Sequence, residues 1–204
     1  MADRFPDYDV LAKRGTPSWN APTRAAVDAR LALAECDPGL GAARIATLRR
    51  VAERVVPQPE GRAPVNIVAL MLARIGGAVP DGYRHAALPP ILPAWRTALD
   101  ALDREARARH VQSFAALDAD RADALLRRVE DGSADRDHWQ NVDPQLFWHW
   151  RLLPDLVASY WAHPSAWSAM GFGGPASPRG YVRLGADRAD PWEARERKKV
   201  RADA

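Results

Sequence analysis

The sequence predicts an all-α fold, an irregular bundle of about six helices with long extended arms at both ends. Apolar residues recur at three- and four-residue intervals through residues 23–164, and no run alternates apolar and polar residues over the length of a strand. The 204 residues suffice for one domain with appendages. We therefore divide the chain into an extended N-terminal arm (1–22), a helical bundle (23–164), and a Gly/Pro-rich C-terminal docking arm with a charged tail (165–204).

Residues 1–22 hold three aromatic residues among prolines and charges, without helical or alternating periodicity, which is typical of an extended, anchored arm. Thr23 is predicted to cap a short first helix that ends near Pro38. The second helix carries an apolar stripe over residues 40–56, with arginines largely on its other side, and Pro57 ends it.

Pro64 is predicted to be the first residue of a third helix, which the glycines at 76–77 close. Because apolar residues extend nearly all the way round this helix, we expect it to be the central, most buried one. A fourth helix carries the apolar stripe of residues 94–106. Asp118 is predicted to cap a fifth, with Gly132 at its end.

A sixth helix is predicted from the cap and first-turn signals of Asp143 and Pro144, and Pro164 ends it. Pro154 is expected to break the hydrogen-bond ladder and to kink this helix. The apolar stripe of this helix consists of Leu146, Phe147, Trp150, Leu153, Val157 and Trp161.

The C-terminal arm contains residues 171–184, with four glycines and two prolines inside ten residues. Such a composition builds neither a helix nor a packed strand pair, so the backbone groups must bond to water, to the parent domain or to another chain. Phe172 and Tyr181 provide hydrophobic anchors. We interpret the segment as a docking arm that is ordered by a second protein.

Composition and charge exclude several classes of function. The excess of 29 basic over 26 acidic residues is too small to indicate nucleic-acid binding, an alternative that rests only on the pI near 9.3. The longest apolar run, residues 67–73, is far shorter than the ~20 residues of a membrane span. Residues 1–22 carry charges where a signal peptide has its apolar stretch. The location therefore stays open between the cytoplasm and the periplasm, and we expect the periplasm to be reached only by co-export with a partner.

Local motifs for catalysis are weak. Gly171, Gly173 and Ala176 match the dinucleotide-binding spacing, but the context is wrong, because a helix precedes them and two prolines follow. The five histidines lack the spacing of a helical metal site, and Cys36, the only cysteine, leaves open only a bridge to a partner. A stand-alone enzyme using the His/Trp cluster of residues 138–167 stays as the alternative; its histidines are His138, His149 and His163.

Tryptophan is unusually frequent, with eight residues in the chain. Tryptophan is enriched in interface hot spots and carries a donor that needs a partner. A share of the cluster before the C-terminal arm is therefore expected to face another protein, and the rest to pack the bundle. The cluster consists of Trp139, Trp148, Trp150, Trp161 and Trp167.

Several segments carry a family resemblance. The most specific lie near the C-terminus, in residues 160–164, Trp167 and residues 171–184; others are residues 8–13, 16–20 and 55–59. Together they resemble the gluconate 2-dehydrogenase subunit 3 family.

The resemblance implies a small, non-catalytic helical subunit that binds, stabilises and matures a large FAD-dependent sugar dehydrogenase subunit of the glucose-methanol-choline (GMC) type. This chain would hold no cofactor, FAD would lie in the partner, and electrons would pass to a cytochrome c subunit of the same complex. Many relatives carry a twin-arginine leader, which residues 1–22 do not show. We expect these residues to bind the large subunit: Tyr8, Trp19, Trp161, Trp167, Phe172, Pro175, Pro178, Arg179, Tyr181 and Arg183.

Overall fold

The computed structural model describes residues 4–77, 81–180 and 188–196 and confirms the all-α class. These residues form nine α-helices, two of them a single turn long, and no strand; one isolated parallel bridge joins Trp19 and Ser177. None of the described helices combines the length and the apolar character needed to span a membrane.

The chain divides into two compact units. The helical unit comprises Ala34–Gln58 and Asn66–Tyr160. The arm unit comprises Met1–Leu33, Pro59–Val65 and Trp161–Ala204, and so brings together segments from both ends of the chain. We describe each unit by itself.

The helical unit contains six complete helices and all but the last residue of a seventh. In chain order they are α2 (Ala42–Val55), α3 (Ile67–Ile75), α4 (Ile91–His110), α5 (Ala119–Glu130), α6 (Arg136–Trp139), α7 (Pro144–Phe147) and α8 (Leu153–Trp161), with a 3-10 turn at Phe114–Ala116 and a π-helical turn at Trp148–Leu152.

Helix α3 is strongly buried, as expected, with six of its nine residues buried, but our expectation that it is the central helix is wrong, because that position belongs to α4. Helix α4 packs against α2, α3, α5, α6 and α7, whereas α3 packs mainly against α2 and α4. The reason is length: α4 has 20 residues and α3 only nine. Trp95 and Leu99 of α4 are fully buried, so this helix provides the middle of the core.

Side-chain caps set several helix starts. Asp118 accepts from the N–H of Arg121 at 2.9 Å and begins α5 as predicted. Helix α3 begins three residues later than predicted, because Asn66 rather than Pro64 supplies the cap by accepting from the N–H of Ala69 at 3.0 Å. A polar side chain that accepts this hydrogen bond stabilises a helix start more than a proline at the first helical position does.

The predicted break at Pro154 takes the form of a π-helical turn. Residues 144–161 form one continuous helical run, in which the N–H of Leu153 bonds to the carbonyl of Trp148, five residues back. Pro154 lacks the N–H that the regular ladder would use, and the π turn ends immediately before α8 begins. A π turn contains one extra residue, so every later side chain of the run is rotated by about 100°.

The arm unit contains a 3-10 helix (Val10–Gly15), α1 (Ala21–Leu31) and α9 (Pro164–Met170). Asn20, not Thr23, caps α1; its side chain accepts from the N–H of Thr23 at 2.9 Å. The N-terminal arm is thus partly helical rather than wholly extended, and the sequence analysis did not predict α9. The core of the unit consists of Tyr8, Val10, Trp19, Val27 and Trp167.

Candidate partner-binding surface

The Gly/Pro-rich segment lies against the N-terminal segment of its own chain within the arm unit. The ammonium group of Lys13 donates to the carbonyl of Gly173 at 2.7 Å, and the N–H of Asn20 donates to the carbonyl of Ser177 at 2.9 Å. Our expectation that a second protein orders this segment is therefore wrong for residues 171–180. Their backbone groups find donors in the parent domain, which is one of the three solutions open to such a segment.

Two glycines make this close packing possible. Gly171 has φ +70°, and a Cβ added there would lie 2.6 Å from the ring of Phe5. Gly174 has φ +64°, and a Cβ there would lie 3.1 Å from the Trp167 ring and from Val10. Both positions combine a left-handed backbone with a close neighbour, which only glycine tolerates without strain.

Lys13 is buried, with 1% of its surface exposed. Burial lowers the pKa of its ammonium group, because the charged form loses its hydration. Asp190 and Glu193, from the described part of the C-terminal tail, act in the opposite direction and partly offset this effect. The N-terminal arm and both described parts of the C-terminal arm thus converge on one side chain.

Arg179 and Trp192 are also held inside the arm unit. Arg179 forms an ion pair with Asp190 at 2.8 Å, and its guanidinium lies 5.6 Å from the centroid of the Trp192 ring. The indole N–H of Trp192 donates to the hydroxyl of Ser18 at 3.1 Å. These contacts fasten residues 188–196 onto the N-terminal segment.

The predicted partner-binding residues therefore fall into distinct groups. Tyr8, Trp19 and Trp167 are buried in the core of the arm unit, and Pro175 and Arg179 are half-buried. Trp161, Phe172 and Pro178 are exposed, and Tyr181 and Arg183 lie outside the described residues. The exposed residues can contact a partner without any change in the structure. The buried residues instead stabilise the arm unit, on whose surface the exposed ones lie. Partner binding by all ten stays a prediction.

One histidine of the alternative enzyme hypothesis, His163, has a structural role. His163 is buried and caps α9, its Nδ1 accepting from the N–H of Ser165 at 3.2 Å. Burial lowers the pKa of this imidazole. Among the residues that the structure describes, no group of three or more His, Cys, Asp or Glu side chains is placed to hold a metal ion.

The largest departure from the sequence analysis is an exposed apolar surface on the helical unit. Trp150, Leu153 and Val157 are 48%, 38% and 36% exposed, although they belong to the apolar stripe from which this helix was predicted. The buried side of the run passes through Trp148, Leu152 and Leu156, which follow one another at four-residue intervals, and this leaves Trp150, Leu153 and Val157 on the other side. The surface, called the Trp150 face below, consists of Trp150, Leu153, Pro154, Val157 and Ala158, all exposed.

The opposite side of the same helical run carries buried charges. Asp155, 2% exposed, accepts from the indole N–H of Trp95 at 3.0 Å and lies 3.2 Å from the guanidinium of Arg74. Arg151 lies 3.9 Å from Asp155 and forms an ion pair with Asp81 at 2.5 Å. Burial raises the pKa of Asp155, and the Trp95 hydrogen bond and both guanidinium groups oppose that rise.

This ionic network fixes the orientation of the helical run. Rotating α8 to hide Leu153 and Val157 would pull Asp155 away from Trp95 and Arg74 and leave buried charges without partners. Breaking a buried ion pair costs about 3–5 kcal/mol, which exceeds the gain from burying two half-exposed aliphatic side chains. The Trp150 face is therefore a stable feature of the folded unit.

These features define a class: a small helical protein that presents an exposed apolar face and a separate arm unit, as proteins that bind other proteins do. The family model of gluconate 2-dehydrogenase subunit 3 matches residues 42–174. The chain belongs to the gluconate 2-dehydrogenase subunit 3 family. This membership is consistent with an accessory subunit of a dehydrogenase complex and implies a partner dehydrogenase subunit. No curated protein and no solved structure matches the chain.

Proposed function

We propose that this chain is the non-catalytic small subunit that binds, stabilises and matures the FAD-containing catalytic subunit of a GMC-type sugar dehydrogenase. The observation that carries the proposal is the family match over residues 42–174, which includes the whole helical run with the Trp150 face. An exposed apolar surface on a helical scaffold is what an accessory subunit needs in order to bind a larger one.

In this proposal FAD belongs to the partner. The Gly171, Gly173 and Ala176 spacing follows α9 and not a strand, and the carbonyl of Gly173 accepts from Lys13 within the chain. A dinucleotide site needs such glycines at the turn between a strand and a helix, where amides face the pyrophosphate. The described residues around this motif do not fit that requirement. A cytochrome c subunit would take the electrons from the flavin subunit in the same complex.

The arms contribute through their exposed residues. Trp161 and Phe172 are 42% and 44% exposed, and Pro178 is exposed as well. The ring of Phe172 packs edge-on against buried Trp167 at 5.9 Å, which restrains it before any partner binds. A restrained aromatic side chain loses little entropy on docking and so suits an interface.

The test is co-expression of the catalytic subunit with and without this chain. We expect the catalytic subunit to accumulate as soluble, active, FAD-loaded protein only when the chain is present, with FAD measured by its visible absorbance relative to protein. Adding the purified chain after synthesis separates stabilisation from maturation. A catalytic subunit that is soluble, FAD-loaded and active without the chain would overturn the proposal.

A further inference from the structure

The Trp150 face is distinct in composition from the exposed side of an ordinary helix. Its five residues carry no charge, whereas four of the five exposed positions of α5 are charged: Asp120, Arg121, Arg127 and Glu130, with Ala124 as the fifth. A surface helix normally points its charged residues to water and its apolar residues to the core. In the run of residues 148–158, by contrast, Arg151 and Asp155 are buried, and His149 is the one titratable residue among the exposed positions.

The energetics of this arrangement favour a bound state over the free chain. The buried network of Arg74, Asp81, Arg151 and Asp155 is expensive to desolvate, and it leaves apolar residues in water on the other side. The second cost falls when a partner covers the Trp150 face, because the apolar area is then removed from water, while the inner network stays as it is.

The size of the face identifies its occupant. With these exposed fractions the five side chains offer on the order of 300 Å². A stable interface buries about 800 Å² per partner, so two copies of the face packed on each other would fall far short. The occupant must therefore touch further surface of this chain, as a large partner subunit does.

We propose that the Trp150 face binds an uncharged, apolar surface of the FAD-containing catalytic subunit; this inference rests on the function proposed above. The absence of charge fixes the chemistry of the matching surface, because a carboxylate or ammonium group buried against these five residues would have no partner. Binding at this face is hydrophobic and depends little on salt. His85, whose ring lies 5.4 Å from that of Trp150, borders the face.

A pair of matched substitutions tests the proposal. Ala158→Glu introduces a carboxylate into the Trp150 face, and Ala124→Glu introduces the same group at an exposed position of α5 among charged residues. Both replace an exposed helical alanine, so both are expected to fold, as circular dichroism and thermal unfolding of each purified variant will check. The affinity for the catalytic subunit is measured by calorimetric titration or surface immobilisation.

We expect Ala158→Glu to weaken binding at least about 100-fold and Ala124→Glu to change it less than about threefold. Leu153→Glu is the second variant and is expected to behave like Ala158→Glu. The wild-type affinity should change little between about 0.1 M and about 0.5 M NaCl.

The outcomes separate this inference from the proposed function. If the wild-type chain fails to bind the catalytic subunit at all, the proposed function is overturned, and this inference with it. If the wild-type chain binds and the Ala158→Glu and Leu153→Glu variants bind as tightly as the Ala124→Glu control, only the inference is overturned. If the wild-type chain dimerises, and the Glu variants are monomeric but still bind the catalytic subunit, the face serves a second copy and the inference is again overturned.

Discussion

The ammonium group of Lys13 and the carbonyl oxygen of Gly173 lie 2.7 Å apart in the interior of the arm unit, across a separation of 160 residues in the chain. This hydrogen bond joins the N-terminal segment to the Gly/Pro-rich segment that follows α9. It shows that the two ends of the chain form one compact unit through their own contacts. The exposed residues of that unit, such as Phe172, are therefore presented by a preformed surface.

Removing the Lys13 donor should release the Gly/Pro-rich segment. Lys13→Met keeps most of the apolar stem but leaves the Gly173 carbonyl without this donor, which costs about 1–3 kcal/mol in a buried site. We expect tryptic cleavage after Arg179 to accelerate about tenfold, as followed by mass spectrometry. Arg14→Met is the control, because Arg14 forms a part-exposed ion pair with Asp28 that contributes little. Equal cleavage rates for both variants would contradict the account.

Gly171 should resist substitution more strongly than a glycine in open space. Gly171→Ala combines φ +70° with a contact to Phe5, and we expect the free energy of unfolding to fall by about 2–4 kcal/mol. Gly61→Ala is the matched control: Gly61 has φ +83° and no neighbour within 4 Å, so only the backbone strain of about 1 kcal/mol applies. Chemical denaturation measures both. Equal losses would mean that the Phe5 ring moves aside without cost.

Glu105 of α4 should matter chiefly through one oxygen. Its Oε1 accepts from the N–H of Asp135 and from the indole N–H of Trp139, both at 3.1 Å, and so anchors α6. Glu105→Ala leaves the buried indole N–H of Trp139 and the part-buried N–H of Asp135 without this acceptor, and we expect a loss of about 2–4 kcal/mol in urea unfolding. Glu105→Gln retains an equivalent oxygen and should lose less than half as much. A glutamine variant as unstable as the alanine variant would show that the charge matters more than the acceptor.

His163 should make the stability of the arm unit sensitive to acid. Burial holds its pKa below the ordinary value, so the folded state binds fewer protons than the unfolded state does. Its stabilising contribution is complete above about pH 6.5 and declines as the pH falls from there toward the lowered pKa of the folded state, by at most about 1.4 kcal/mol per pH unit.

The variant that tests this titration is His163→Asn. Asparagine keeps an acceptor for the N–H of Ser165 at the start of α9 but does not titrate. We expect thermal unfolding of the variant to vary less between about pH 7 and about pH 5 than that of the wild type. Parallel pH profiles for the two proteins would contradict the assignment.

Local signals predicted much of the helical unit. Asp118 caps α5 as its sequence position indicates, because a cap is a contact between residues three apart and leaves a direct trace in the sequence. The prediction that α3 rather than α4 is the central helix was wrong for a physical reason. Apolar composition shows that a helix is buried, but the number of its neighbours depends on how long it is.

Local caps and apolar periodicity did not predict the Trp150 face or the arm unit. The predicted stripe passed through Trp150, Leu153 and Val157, whereas the buried side passes through Trp148, Leu152 and Leu156, and both sets are apolar, so spacing alone did not tell them apart. Pro154 predicted a break in the helix, but it did not predict how the later side chains would be rotated about the helix axis. The hydrogen bond between Lys13 and Gly173 joins residues that are far apart in the chain, and neither periodicity nor composition predicts such a contact.

The most direct test of the central claim is the mass of the species formed when the chain and the FAD-containing catalytic subunit are produced together. Light scattering behind size-exclusion chromatography should show one species with the summed mass of both subunits and the absorbance of FAD. Elution of the chain as a separate species, beside a flavin-loaded catalytic subunit, would contradict the claim that it is the binding partner of that enzyme.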